Sequence, residues 1–433
     1  MKPLWTADEL VAAMDGRPLG PMPDGVGGIS IDSRSLNPGD AFFAVKGDSK
    51  DGHDFITAAV AAGAGLFIVA EAKLAALGRL NLPMIVVPDV LGALEKVASA
   101  ARSRSKAKII AVTGSGGKTT PKEAPRHFPS VAASVHASDK SFNNHWGVPL
   151  SLARMPADAQ YAIFEIGMNH ADEIRPLVKM VRPHVALVTL IAAAHLGHFR
   201  NLGEIARAKA EIFEGLVPNG TALINRDDAH WKTLEKEALA LGVKNIATFG
   251  EHPRATYRLL ECKLHSDHST LAARIGGKEI LTRVGAPGRH MVQNALSVLA
   301  CAHLVGASVP TVALALSDLQ AQAGRGKRHH LRHPGGVFTL IDESYNANPA
   351  SMKAALSLLG SMDVLEKGKR IAVLGDMLEL GAHSQKLHRD LVELLSDAGT
   401  DRVFLGGEEM KALADAMPAG IEFDYRAKTD ELL

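Results

Sequence analysis

The sequence predicts an α/β fold in which parallel sheets are covered by helices. Short apolar segments of strand length alternate with longer segments of helical period along the 433 residues. This alternation is typical of parallel sheets, because their strands are usually joined by helices. An apolar share of 46% indicates a globular protein. A chain of this length is too long for one hydrophobic core, so we expect about three domains.

Candidate strands and helices follow one another in turn, which places the fold in the α/β class. The strand candidates include 41–47, 66–71, 84–89, 108–112, 161–167, 185–191, 337–345, 370–375 and 402–407. The helix candidates include 91–104, 204–217, 289–305, 351–362 and 384–398.

Two segments indicate domain boundaries. The polar segment 103–108 (SRSKAK) precedes the most specific motif of the chain, and segment 321–336, rich in glycine and basic residues, interrupts the pattern before a new strand. No internal repeat or low-complexity segment is visible in the sequence. We therefore expect three domains, which are residues 1–106, 107–324 and 325–433.

Charge and composition exclude several classes of protein. Lys and Arg total 48 against 47 for Asp and Glu, so no overall basic field attracts nucleic acid or an anionic membrane. The N-terminal segment is charged where a signal peptide is apolar, and no run approaches the roughly 18 apolar residues of a spanning helix. Cys262 and Cys301 have no disulfide or metal-type spacing. We expect a cytoplasmic protein without membrane insertion.

The most specific motif is a glycine-rich segment, KIIAVTGSGGKTT at 108–120, in which a strand candidate leads into a Gly-Lys-Thr ending. Glycines let backbone N–H groups surround phosphate oxygens, Lys118 reaches the terminal phosphates and the Thr119 hydroxyl can bind Mg²⁺. Val112 stands where the general motif has glycine, so this is a variant P-loop; the alternative is a plain strand-to-helix turn. The predicted phosphate-binding residues are Gly114, Ser115, Gly116, Gly117, Lys118, Thr119 and Thr120.

Two further polar residues follow strand candidates. Glu165 ends the apolar strand before GMN, and His195 follows the strand at 185–191. Taken alone, each residue also fits a role without function: Glu165 as a capping residue and His195 as a surface histidine. Their shared position beyond strand ends in a P-loop domain favours a functional interpretation equally, because ligands of parallel sheets bind at the carboxyl edge. Mg²⁺ prefers oxygen ligands, so histidine is the less expected ligand of the two.

Other polar residues indicate no function by their own surroundings. The lysine of EIARAKAEIF lies in an amphipathic helix, where a solvated side chain is expected. The remaining residues fit helix caps, turns or a linker between glycines. These residues are Asn143, Asn144, Lys209, Arg325, Asp342, Tyr345 and Asn346. From the residues alone the chain is an ATP- or GTP-using α/β protein, and its substrate stays open.

At these same residues the chain resembles the Mur ligases, from about residue 30 to its C-terminus. The family has the same shortened P-loop, which explains Val112. Two segments, IDESYNANPASM and LGDMLELG, are most similar to the family member that adds D-Ala-D-Ala. The similar segments are 32–55, 113–120, 143–156, 165–174, 195–199, 206–216, 341–352 and 374–381.

The resemblance implies a role for each matching residue. It implies a central P-loop ATPase domain with a parallel sheet, between an N-terminal α/β domain that binds the UDP-sugar and a C-terminal Rossmann-like domain. The implied catalytic residues are Lys118, Lys209 and His195. The implied Mg²⁺ ligands are Thr119, Glu165, His195 and Lys209, the lysine as a carbamate. The implied nucleotide contacts beyond the P-loop are Asn294, Arg325, Asp342 and Tyr345. The implied UDP-sugar contacts are Ser33, Arg34, Lys46, Asn144 and His145.

The implied function is an ATP-dependent amide ligase that joins D-Ala-D-Ala to UDP-MurNAc-tripeptide through an acyl phosphate, with ATP and Mg²⁺. We expect these small molecules as its partners, no nucleic acid, and a monomer. Three alternatives stay open. They are a related Mur ligase that adds another amino acid, a P-loop ATPase or kinase, and a UDP-sugar-binding protein without ligase activity.

The sequence departs from the family at two places. Pro121, Pro125 and Pro129 follow the P-loop where the family has helix formers. Because proline inside a helix costs about 3 kcal/mol, we expect the helix over 118–124 to be short or irregular and 121–140 to be the least ordered part of the central domain. The chain also ends at DYRAKTDELL, before the last strand and helix of the family pattern, so a truncated C-terminal domain is an open alternative.

Overall fold

The protein is built largely of parallel sheets. Its structure is a computed structural model that describes residues 2–77, 81–118, 120, 134–138, 142–364 and 368–432. Its strands are β1 (Trp5–Thr6), β2 (Arg17–Leu19), β3 (Gly25–Val26), β4 (Ile29–Ser30), β5 (Ala41–Phe43), β6 (Leu66–Ala70), β7 (Met84–Val87), β8 (Lys108–Thr113), β9 (Val135–Ala137), β10 (Tyr161–Glu165), β11 (Val185–Val188), β12 (Thr221–Asn225), β13 (Asn245–Gly250), β14 (Tyr257–Leu264), β15 (Ser269–Ile275), β16 (Lys278–Val284), β17 (Lys327–His333), β18 (Gly336–Asp342), β19 (Ile371–Gly375), β20 (Arg402–Gly406) and β21 (Glu422–Arg426).

Helices connect and cover these strands. The α-helices of the described residues are α1 (Ala7–Met14), α2 (Ile56–Ala61), α3 (Leu74–Leu77), α4 (Val90–Arg104), α5 (Gly147–Ala153), α6 (Ile174–Val181), α7 (Leu202–Ala210), α8 (Trp231–Ala240), α9 (Arg289–Leu304), α10 (Val309–Ala315), α11 (Pro349–Gly360), α12 (Ser384–Arg389), α13 (Leu391–Asp397) and α14 (Lys411–Ala414). No helix among the described residues combines the length and apolarity that crossing a membrane requires.

The largest sheet has the strand order β16-β15-β14-β13-β12-β11-β8-β10-β9. Its strands from β9 to β14 pair in parallel, and β14, β15 and β16 pair antiparallel. Strand β8 is apolar on both faces: Ile109 and Ala111 pack into one hydrophobic cluster, and Ile110 and Val112 into another. Because β8 lies between β10 and β11, the loops after these three strands meet at one edge of the sheet.

A second sheet, with the order β2-β7-β6-β5-β4, forms the N-terminal part. Its strands are parallel except β2. Helix α4 starts at the cap Asp89, whose carboxylate accepts hydrogen bonds from the N–H groups of Leu91 and Gly92. The same helix packs on α5, and Leu150 and Ala153 of α5 belong to the N-terminal hydrophobic cluster. The N-terminal and central parts therefore share an apolar contact.

The C-terminal part contains the antiparallel hairpin β17–β18 and the parallel sheet β19-β20-β21. Leu395, Val403 and Leu405 are fully buried at the centre of its hydrophobic cluster. The α/β class is thereby confirmed. Strands β1–β7, β8–β16 and β17–β21 lie within the expected ranges 1–106, 107–324 and 325–433, and the domain limits themselves stay a prediction.

The nine candidate strands and five candidate helices are present with altered bounds. The helix expected over 204–217 ends at Ala210 and continues as a 3₁₀ turn over Glu211–Gly215. The helix expected over 384–398 is divided into α12 and α13 around Asp390. Segment 321–336, expected as an interruption of the pattern, contains strand β17. Because the residues of β17 are mostly exposed basic and histidine residues, a search for apolar runs does not detect this strand.

The residue Thr119 and the prolines Pro121, Pro125 and Pro129 lie outside the described residues. The expectations for a short helix over 118–124 and for low order over 121–140 therefore fall largely outside them as well.

Candidate active site

The glycine-rich loop after β8 is packed against the segment that follows β11. Ser115 N donates to Leu190 O at 2.9 Å, and Ser115 Oγ donates to Ala192 O at 2.9 Å. Gly114 and Gly117 have φ angles of 154° and 74°, a region that favours glycine. A Cβ at Gly114 would lie 1.9 Å from Thr189 Oγ1. The loop geometry therefore requires glycine, as a backbone that approaches phosphate closely does.

Lys118 ends the described part of this loop. Its Nζ donates to Gly114 O at 2.7 Å, so the side chain folds back over the loop. Burial lowers the pKa of Lys118, and the nearby carboxylate of Glu165 acts in the opposite direction. The charged amine therefore gains from an anionic neighbour, which a phosphate supplies.

Glu165 is the last residue of β10, and it is almost fully buried. Its Oε1 accepts a hydrogen bond from Asn143 Nδ2 at 2.8 Å, and the Asn143 carbonyl accepts one from Gly167 N at 2.8 Å. Asn143 was expected as a loop or cap residue, and its position beside the carboxylate was missed. It holds Glu165 in one orientation at the edge of the sheet.

His195 lies beyond β11, on the other side of β8. Its backbone is left-handed, with φ 59°, and its imidazole Nδ1 contacts the carboxylate of Glu379. Burial lowers the pKa of His195, the contact with Glu379 raises it, and the charges of Lys209 and Lys118 lower it further. A neutral imidazole is the form that binds a metal ion.

Lys209 is buried in α7, with 3% of its surface exposed. The expectation of a solvated lysine, drawn from its helix alone, was wrong. Burial, with a smaller contribution from the charge of Lys118, holds the pKa of Lys209 well below its ordinary value. The alanines on both sides of it leave the amphipathic pattern too weak to show which face is buried. Burial of this kind disfavours the charged form of a lysine.

Residues that the resemblance implies for the nucleotide lie near this loop on two sides. Asn294 of α9 donates through Nδ2 to Thr120 Oγ1 at 3.2 Å, and a Cβ at Gly117 would lie 2.4 Å from Asn294 Oδ1. From the C-terminal part, the Arg325 guanidinium lies 4.0 Å from the centre of the Tyr345 ring. The charge of Arg325 also lowers the pKa of Lys118, so Arg325 and Tyr345 lie near the P-loop.

Three family descriptions match consecutive parts of the chain. They are "Mur ligase family, catalytic domain" over residues 25–104, "Mur ligase middle domain" over 112–302 and "Mur ligase, glutamate ligase domain" over 325–432. The chain belongs to the Mur ligase family.

Named relatives match this Mur ligase over most of their length. The UDP-N-acetylmuramoyl-tripeptide--D-alanyl-D-alanine ligase of Rickettsia prowazekii (strain Madrid E) is 36% identical over 94% of this chain and 88% of its own. The enzyme of the same name from Escherichia coli (strain K12) is 35% identical over 91% and 84%. A crystal structure of MurF from Acinetobacter baumannii matches with a TM-score of 0.84 and 31% identity, covering 98% of this chain and 90% of that one.

The N-terminal residues that the resemblance implies for the UDP-sugar are on the surface of this Mur ligase. Arg34 is exposed and paired with Asp32 at 2.7 Å, and this hydrogen bond raises the pKa of Arg34. Ser33 precedes it and is partly exposed, and Lys46 is exposed. These positions are accessible to a ligand, and their role stays a prediction.

Asn144 and His145 lie where α5 begins. The Asn144 side chain accepts a hydrogen bond from Gly147 N, the first residue of the helix, at 3.0 Å, whereas the N-cap position itself is Trp146. His145 is exposed and close enough to α4 for its charge to lower the pKa of Glu95, although burial raises that pKa overall. Both residues therefore lie between the N-terminal and central parts of the Mur ligase.

Asp342 is held by its own turn. Its carboxylate accepts hydrogen bonds from Ser344 Oγ at 2.6 Å and from Gly324 N at 2.7 Å, and the first of these is the main cause of its lowered pKa. Asp342 thus ties the linker at Gly324 to the start of the C-terminal part. A contact of Asp342 with the nucleotide stays a prediction.

The Mg²⁺ ligands expected from the resemblance fit the chemistry of the site. Among the described residues, no group of three or more His, Cys, Asp or Glu side chains is arranged to hold a metal ion. Glu165 and His195 supply one carboxylate and one imidazole on either side of β8. The buried amine of Lys209 is near Lys118 and His195, and as a carbamate it would add oxygen ligands. The fourth expected ligand, Thr119, lies outside the described residues.

Proposed function

We propose that this chain is an ATP-dependent amide ligase that joins D-Ala-D-Ala to UDP-MurNAc-tripeptide. The observation that carries the proposal is the meeting of Lys118, Glu165 and His195 after three neighbouring strands, with Lys209 buried beside them. The named relatives, which have this activity by name and match the chain almost from end to end, support the choice of substrates.

The first step activates a carboxylate. The terminal carboxylate of the tripeptide attacks the γ-phosphorus of ATP, the bond to the β-phosphate oxygen breaks, and an acyl phosphate and ADP result. Both reactants are anions, so their approach is opposed by charge. Lys118 and backbone N–H groups of the loop after β8 lower this barrier by donating hydrogen bonds to phosphate oxygens.

The second step forms the amide. The amine of D-Ala-D-Ala attacks the acyl carbon, the tetrahedral intermediate expels phosphate, and the amine loses its proton. A closed site protects the acyl phosphate from water and holds the amine close to the acyl carbon. Docking of the C-terminal part beside His195 provides that closure.

We further propose that Glu165, His195, Thr119 and Lys209 hold Mg²⁺, which neutralises phosphate charge when bound. Lys209 fits a carbamate because a neutral amine is the form that reacts with CO₂. Burial lowers the pKa of Lys209, which favours the neutral amine over the ammonium form. As a carbamate, Lys209 also places an anion near the amine of Lys118.

The other implied contacts complete the proposal. Asn294, Arg325, Asp342 and Tyr345 bind the nucleotide, and Ser33, Arg34, Lys46, Asn144 and His145 bind the UDP-sugar. All of these residues belong to one chain, which supports a monomer. We propose a cytoplasmic location, because ATP and UDP-sugars are consumed there.

A phosphate-release assay with substrates left out in turn tests the function. We expect phosphate release only when ATP, UDP-MurNAc-tripeptide and D-Ala-D-Ala are all present. Release without the dipeptide indicates an ATPase or a kinase. Release with a diamino acid or glutamate in its place indicates a different Mur ligase.

A further inference from the structure

Glu379 joins the C-terminal part of the chain to the loop that carries His195. It lies in the segment LGDMLELG at 374–381, which has no role in the steps above. Its carboxylate contacts the imidazole Nδ1 of His195, 184 positions away in the sequence. The contact therefore depends on how the C-terminal part docks.

The backbone strengthens the same contact. Gly197 N donates to the Glu379 carbonyl at 2.7 Å. A Cβ at Gly197 would lie 3.0 Å from Glu379 O and 3.2 Å from Gly381 N. The two loops therefore approach each other with backbone against backbone, and a side chain at Gly197 would separate them.

Both partners have an unusual backbone. His195 has φ 59° and Glu379 has φ 62°, values that residues other than glycine adopt rarely. Such conformations persist where the surrounding structure holds them, and they are concentrated at functional sites. Here the side-chain contact and the Gly197 hydrogen bond hold the two strained positions together.

We propose that Glu379 is a positioning residue, whose carboxylate orients the His195 imidazole and whose carbonyl holds the C-terminal part against the His195 loop. Because Nδ1 faces the carboxylate, Nε2 is the nitrogen left for a ligand. Docking of the C-terminal part and orientation of His195 are then one event. The inference deepens the proposed function and rests on it for the role of His195.

Hydrogen exchange of the intact protein tests the contact without any substrate. The variants are Glu379→Ala and Gly197→Ala, in which the added methyl group acts as a wedge, and the control is Glu408→Ala, an exposed carboxylate of the same part. We expect amides in the segment 195–199 to exchange about tenfold faster in both variants and unchanged in the control. Unchanged exchange in both variants overturns the contact.

Steady-state ligation tests the positioning role. We expect Glu379→Ala to lower kcat about 10–100-fold with an unchanged KM for UDP-MurNAc-tripeptide, and Glu379→Gln, which keeps a hydrogen-bonding group, to recover part of the loss. In the double variant with His195→Ala we expect no loss beyond that of His195→Ala alone, because Glu379 acts through His195. The proposal is overturned if the loss of kcat in the double variant is the product of the two single losses, or if Glu379→Ala has the wild-type kcat. A wild type that ligates nothing refutes the proposed function instead, and the exchange result still decides the contact.

Discussion

Lys118 is placed to act on phosphate charge, since its amine lies over the loop after β8 and close to Glu165. We expect Lys118→Ala to lower kcat for ligation by at least about 10²–10³-fold, the scale for loss of one group that stabilises developing charge. The melting temperature should stay close to that of the wild type, because the side chain belongs to no hydrophobic cluster. Lys108→Ala, at the exposed start of β8, is the matched control. Near-normal turnover of Lys118→Ala would remove the P-loop from the mechanism.

Lys209 is a buried amine whose place in the fold costs stability. We expect Lys209→Met to abolish ligation and to raise the free energy of unfolding by about 1–3 kcal/mol, because an apolar side chain of similar length replaces a buried amine. Denaturant unfolding and the ligation assay measure the two effects. Lys236→Met, on the exposed face of α8, should change neither. A destabilised Lys209→Met variant would mean that the amine has a structural partner.

The site residues differ in how far the sequence predicts them. Glu165 and His195 follow strand candidates directly, so the rule that ligands bind at the carboxyl edge of a parallel sheet predicts their neighbourhood. Lys209 lies mid-helix among alanines, and nothing local shows that it is buried. Asn143 and Glu379 act on side chains 22 and 184 positions away, which local patterns do not contain.

At the scale of elements, His184, just before β11, forms a side-chain hydrogen bond to the first residues of β8. Its Nδ1 accepts the N–H of Ile109 at 3.0 Å, so the neutral ring is the form that fits. Burial lowers the pKa of His184 to about 4, and the charges of Lys108 and Arg102 act in the same direction. The unfolded chain binds this proton near pH 6.5 while the folded chain does not, so stability falls as the pH drops from about 6.5 to about 4.

We expect His184 to lower the free energy of unfolding of the wild type by about 1–2 kcal/mol between pH 7 and pH 4.5, a value reduced for the partial exposure of the side chain. His184→Gln keeps an acceptor and removes the titration, so it should lose less stability over the same interval. Urea unfolding at the two pH values measures the difference between the proteins. Equal losses would show that His184 is not responsible.

Most of the strands predicted from the sequence are buried, although the buried strand β12 is not among the named candidates and the largely exposed strand β18 is. Strands such as β8 and β11 are apolar at nearly every position, which a sequence shows directly. Strand β17 consists of charged and histidine residues around a single leucine on an exposed hairpin, and β14–β16 have one face toward water. Their pairing is set by tertiary contacts, which the sequence pattern does not contain.

At the scale of the whole molecule, Arg102 fixes the N-terminal part to the central part. It is nearly buried in α4, and its guanidinium donates to Val181 O at 2.8 Å and Arg182 O at 2.9 Å, at the end of α6. We expect Arg102→Ala to destabilise the protein by about 2 kcal/mol and to lower Tm by roughly 4–8 °C. Arg17→Ala, an exposed residue, should shift Tm by less than about 1 °C. Calorimetry with equal shifts for both variants would contradict this role.

Three substrates must meet for ligation, and this explains why the proposed site draws residues from all three parts of the chain. The P-loop and Glu165 come from the central part, Arg325 and Tyr345 from the C-terminal part, and Arg34 from the N-terminal part. Binding each substrate on a different part allows domain docking to bring the reacting groups together and exclude water.

The most direct measurement is mass spectrometry of the product formed from UDP-MurNAc-tripeptide, ATP and D-Ala-D-Ala with Mg²⁺. The proposed function predicts UDP-MurNAc-pentapeptide, one ADP and one phosphate per amide bond, and a strongly reduced yield with Lys118→Ala. ATP hydrolysis without a pentapeptide, or a product that contains a different amino acid, would contradict it.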